Sequence, residues 1–131
     1  MSAKSQSPIP DSITENTPPI ELVTENEFSI LRWWEMGGLP PPIAGSYDFV
    51  VRNPQSIERK VTVEITAAIV MQIELFTRGR VQQSNSFWMC CAERHLAIYI
   101  LENDDYPEND KLRITRLDPD DVITAIRWQI A

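Results

Sequence analysis

The chain has 131 residues, 43% apolar and 24% charged, with a formal net charge of −7. That usage supports one hydrophobic core and argues against wholesale disorder. Unbroken apolar runs such as residues 96–101 fall far short of the roughly 20 residues a membrane helix needs. Prolines and polar residues follow Lys4 where a secretory leader would carry its apolar stretch, and no cluster of Lys and Arg offers itself to a phosphate backbone. The sequence therefore predicts a soluble protein with no membrane span and no direct nucleic-acid partner. Cys90 and Cys91 are the only cysteines and are adjacent, so they cannot close a useful loop, and a cytoplasmic setting is expected.

Residues 1–22 contain four prolines among Ser, Thr, Asn and Glu. They bury too little to offset the entropy of ordering and read as a flexible arm. Ile9, Ile13 and Ile20 are the contacts that arm would offer a partner. Residues 23–131 read as one α+β domain.

Thr24, Glu25, Asn26 and Glu27 have the pattern of a capping box, Val23 and Phe28 fit a hydrophobic staple, and Gly37-Gly38 suits a helix stop. Together they predict a helix over residues 25–36. Neighbours on a helix lie about 100° apart, so Trp33 and Trp34 cannot both face one core. One of them is expected at the surface, which makes Trp33, Trp34 and Phe28 the candidate interface residues. The three prolines at 40–42 impose an extended spacer.

Residues 47–51 read as a strand, with a turn at residues 53–56. From 61 to 75 every odd position is apolar, which predicts a long strand, bent or bulged, with one buried face. The alternative makes residues 57–77 helical, Ala67 to Phe76 in particular, and the order β-α-β-β-β-α. Residues 87–92, 95–101 and 111–117 read as further strands, with an acidic loop over 102–110. Asp118 suits an N-cap, Pro119 the first helical position, and Asp120 and Asp121 the positive end of the helix dipole. Val122, Ile126 and Ile130 then form an apolar stripe for the sheet. The predicted architecture is α+β: an N-terminal helix, an antiparallel meander of four to five strands, and a C-terminal helix packed on the sheet.

The chemistry-bearing residues concentrate at Cys91, Glu93 and His95. Cys91 and His95 share a face in a strand and also in a helix. A thiolate, an imidazole and a carboxylate suit a metal, or a nucleophile with its base. A zinc site ordinarily draws on a second Cys/His pair, which this chain lacks, and buried cysteine is common for packing alone. Arg78 and Arg80 flank Gly79 and are candidates to grip a phosphate or carboxylate. No glycine-rich phosphate loop and no Gly-x-Ser-x-Gly elbow occur, and no cofactor is expected. The leading expectation is a non-enzymatic interaction module that docks through its aromatic helix and arm onto a protein partner or a second copy of itself. The alternative is a small enzyme or metal-dependent protein centred on Cys91, Glu93 and His95.

Overall fold

The computed structural model describes residues 20–40, 42, 45–81 and 86–128. Alternation of apolar and polar side chains builds a five-stranded sheet in the order β1-β2-β3-β4-β5: Glu21–Val23, Ser29–Arg32, Ser46–Arg52, Glu58–Ile65 and Lys111–Ile114. The helices are α1 (Trp33–Met36), α2 (Ala67–Phe76), α3 (Phe87–Asn103) and α4 (Pro119–Ile126), so the fold is α+β as expected. Strands β1 to β4 form an antiparallel meander. β5 instead runs parallel to β4. Parallel neighbours need a long crossover, and here it carries α2 and α3.

One face of the sheet is apolar. Ile30, Tyr47, Phe49, Val51, Val61, Val63 and Ile65 are buried there beneath α3, whose Trp88, Ala92, Leu96 and Ile100 join the same core. The opposite face carries the buried Val50 beside Leu31 and is otherwise largely polar and cross-linked between strands. Thr62 Oγ1 donates to Asp48 Oδ1 at 2.6 Å, and Lys111 Nζ lies 3.5 Å from Glu64 Oε2. Lys60 sits 4.5 Å from the centre of the Trp33 ring.

The helix predicted over residues 25–36 is helical only in its last turn, at α1. Its first part is the β1–β2 hairpin. Thr24 does use its side chain as a cap would, but to close the hairpin turn: Phe28 N donates to Thr24 Oγ1 at 3.1 Å, and Thr24 N donates to Phe28 O at 2.9 Å. Glu27 takes φ 70° in that turn, and Phe28, Ile30 and Arg32 then alternate inward. The end of the predicted arm, Glu21 and Leu22, belongs to β1; residues 1–19 lie outside the described residues, as does part of the proline spacer.

The alternation over residues 61–75 spans two elements. Val61, Val63 and Ile65 are buried in β4, the chain breaks at Thr66, and α2 occupies the segment of the helical alternative. Ile69 and Ile73 continue the odd-numbered series because they are four apart on a helix, whereas Met71 and Leu75 are exposed at 58% and 77%. The strands predicted at 87–92 and 95–101 are one helix, α3. Residues 88, 92, 96 and 100 recur every four positions, so two apolar runs merge into a single stripe. Glu93 and Arg94, which looked like a break, are its polar flanks.

Arg32 reaches from the apolar face of β2 to α3. Its Nε and Nη2 donate to both Glu93 oxygens at 3.1 and 3.0 Å, and Nη1 donates to Glu35 at 3.1 Å. Burial works against the charge on Arg32, and the two glutamates more than restore it. Arg32→Met leaves Glu93 without its fork and is expected to cost about 3–5 kcal/mol in urea denaturation. Arg32→Met with Glu93→Met should recover most of that loss. Asp118→Ala, which removes the cap accepting from Asp121 N at 2.9 Å, is expected to cost about 0.5–2 kcal/mol in the same measurement.

Candidate functional site

Cys91 and His95 stand one turn apart on α3, and the first turn of α4 carries Asp121 between them. Asp118 and Asp121 form a reciprocal capping box: Asp121 N donates to Asp118 Oδ1, and Asp118 N donates to Asp121 Oδ2 at 3.1 Å. The box holds a carboxylate that is only 2% exposed. Arg94 Nη1 donates to Asp121 Oδ1 at 2.6 Å, His95 Nε2 lies 2.6 Å from Oδ2, and Cys91 Sγ donates to Oδ1 at 3.7 Å. Arg94 Nη2 also lies 3.4 Å from both Asp118 and Asp120.

Burial pushes the Asp121 carboxyl up, but the His95 hydrogen bond, the Asp118 N–H and the nearby His95 and Arg94 outweigh it, so it ionises below the ordinary range. Burial pushes the Cys91 thiol well up, and Asp121 adds to the effect. Burial likewise opposes the charge on Arg94, which its three aspartate neighbours more than restore.

These directions bear on the chemistry. A cysteine nucleophile needs a lowered pKa and an imidazole bonded to the sulfur. Here the thiol is driven the other way, and the carboxylate stands between sulfur and ring. The Cys91, His95 and Asp121 ligand atoms lie within 4.8 Å of one another, a spacing that permits a cation. Arg94 already occupies that carboxylate with a positive charge, however, and a metal would have to displace it. The cavity beside the cluster is about 50 Å³, well below the few hundred Å³ of an ordinary ligand pocket. The arrangement fits a buried ion-pair junction between α3 and α4.

Glu93 is not part of this junction; it faces Arg32 on another side of α3. Among the aromatic candidates, Trp33 is at the surface, 45% exposed. Trp34 packs against Tyr47 and Phe49, and Phe28 against Tyr106, all within the core. Arg78 and Arg80 are exposed on the turn after α2, where Arg80 Nη2 donates to Ile126 O at 3.0 Å. The structure brings neither of them to the Cys91 cluster.

Asp121 and Arg94 carry the junction; in the sequence Asp121 reads only as an acid at the positive end of the helix dipole. The signal for more was its spacing: Asp121 and Ala125 are four apart and are the buried residues of α4. The predicted stripe of Val122 and Ile126 is rotated by one position, leaving Ile126 45% exposed; Ile130 lies outside the described residues. No family model, curated protein or solved structure matches the chain.

A carboxyl depressed by folding contributes its stability above its unfolded value, about 3.9, and loses it as pH falls through the folded value. Asp121→Asn is therefore expected to cost about 1.5–3 kcal/mol near neutral pH. Its deficit against the wild-type chain should shrink below about pH 4. Urea midpoints across that range measure this, and a deficit constant with pH would assign the cost to packing.

Proposed function

We propose that this chain is a protein-interaction module rather than an enzyme, and that its first docking partner is a second copy of itself. The observation that carries this reading is the apolar surface of α2 and α4. Met71, Leu75 and Phe76 on α2 are 58%, 77% and 60% exposed, and Ile123 and Ile126 on α4 are 46% and 45% exposed. Beside them lies a groove of about 320 Å³ lined by Ile69, Ile73, Phe76, Leu117 and Val122. Apolar side chains grouped this way mark contact surfaces.

A second copy is the favoured occupant because a projection and a hollow adjoin on one helix. Leu75 stands out next to Phe76, which lines the groove. Two copies related by a twofold axis can each place the projection into the other's hollow, which is the self-complementarity an isologous contact requires. Charge supports it too, since Arg116 lines the groove while Asp118 and Asp120 open the adjacent helix.

The aromatic helix supplies a second surface, with Trp33, Met36 and Leu39 at 45%, 49% and 62% exposure. Docking through the arm rests on the sequence of residues 1–22. The alternative centred on Cys91, Glu93 and His95 has less support, for the raised thiol, the intervening carboxylate and the separate position of Glu93 all count against it.

Sedimentation velocity over a concentration series tests the proposal. Leu75→Glu is expected to weaken self-association at least tenfold with melting little changed. Trp33→Ala reads the aromatic surface independently, and an equal loss there moves the contact to α1. A wild-type chain that stays monomeric throughout removes the self-association reading.

A further inference from the structure

β5 is an edge of the sheet; among the described residues no strand pairs with its outer side. Ile114 O accepts from Thr66 N at 3.3 Å, on the side of β4. Backbone polar groups alternate in direction along a strand. Leu112 and Ile114 therefore turn theirs toward β4, and Arg113 turns its N–H and C=O outward.

That outer edge has a wall beside it. A cleft of about 280 Å³ lies between residues 112–116 and α3, which contributes His95, Ile98, Tyr99 and Glu102. Ile98 and Tyr99 are half-buried, as is Leu112. An unpaired strand edge facing a helix offers main-chain hydrogen bonds on one side and side-chain contacts on the other. We infer that this cleft binds an extended acidic segment of a partner protein, which adds to β5 as a further strand.

The charge on the edge identifies the guest. Lys111 is paired with Glu64, but Arg113 and Arg116 make no ion pair among the described residues. Both are exposed, in a chain whose net charge is −7. Glu102 is the one acid among the lining residues. A strand laid along β5 sets its outward side chains about 4.5–5.5 Å from those of Lys111 and Arg113, where opposite charge is favourable. Its alternate side chains enter the cleft and meet Ile98, Tyr99 and Leu112, which favour apolar groups. The guest is thus a segment alternating acidic and apolar residues. Charged side chains alone also serve to keep an edge from pairing; the half-buried Ile98, Tyr99 and Leu112 are what distinguish this edge as a binding cleft. The cleft shares only Thr115 and Arg116 with the groove between α2 and α4, and the inference does not depend on self-association.

A phage-displayed library of random linear eight-residue peptides, panned against the full chain, tests it. Enriched peptides should alternate acidic and apolar residues, bind more weakly as salt rises, and slow amide exchange at Arg113. Arg113→Pro removes the outward N–H from an edge position where proline is tolerated and should weaken binding at least tenfold. Arg113→Gln keeps the N–H and should weaken it about threefold, as loss of an exposed charge pair does. Should Arg113→Pro fail to fold, Tyr99→Ala and the exchange at Arg113 in the wild-type chain decide. No enrichment, enriched peptides without acidic residues, unchanged binding to a folded Arg113→Pro, or protection confined to α2 would each overturn the inference. Sedimentation of the same samples reports self-association separately, so the two readings fail independently.

Discussion

A buried carboxylate has to find partners for both oxygens or be excluded from the interior. Asp121 meets that demand with Arg94, His95 and Cys91 on α3 and with the N–H of its own cap at Asp118. Because three partners come from one helix and the fourth from the start of another, satisfying Asp121 fixes both the approach and the rotation of α4. With Asp121 and Ala125 turned inward, Ile123 and Ile126 have to face out. The apolar surface of α4 therefore follows from an electrostatic requirement. The same requirement brings a thiol, an imidazole and a carboxylate together in a setting that raises the thiol's pKa.

Arg32 and Glu93 act on another side of α3 in a related way. The guanidinium fork from β2 meets both oxygens of Glu93, so the helix is tied to the sheet by a directional contact as well as by the core beneath it. Glu93, Arg94 and His95 are consecutive, yet they face two different elements. A helix turns about 100° per residue, so adjacent polar residues can serve β2 and α4 while Leu96 and Ile100 stay in the core. Arg32 also explains how a charged residue comes to stand on the apolar face of the sheet, where alternation alone would place a hydrophobic one.

The elements legible in the sequence were those whose ends and periods agreed. β3 with its turn, β5, and α4 with its aspartate cap each had a boundary signal beside a consistent pattern, and so did the α+β class. The misread elements had signals that belonged to something else. Thr24 and Glu27 carry a capping-box pattern, but a threonine side chain can satisfy the backbone of a tight turn equally well. The series through residue 75 kept period two across Thr66 only because Ile69 and Ile73 fit both a strand and one face of a helix. α3 was divided at Glu93 and Arg94 because their partners, Arg32 and Asp121, are distant in sequence. Of the candidate site, the shared face of Cys91 and His95 was legible from spacing; the carboxylate that joins them comes from another helix and was not.

Those misreadings bear on the surface of the molecule. Met71 and Leu75 were placed inside by a period that stops at residue 66, and Ile126 by a stripe that Asp121 rotates away. In each case local apolar character and global position disagree, and such disagreement is expected at functional or strained sites. The buried ion pair and the break at Thr66 hold these side chains in water when the fold forms. Each gains roughly 25 cal/mol for every Å² later covered, a gain the isolated chain leaves unused. Under the proposed function, the ion pair that orients α4 and the break that ends β4 thus also set what α4 and α2 present to a second copy.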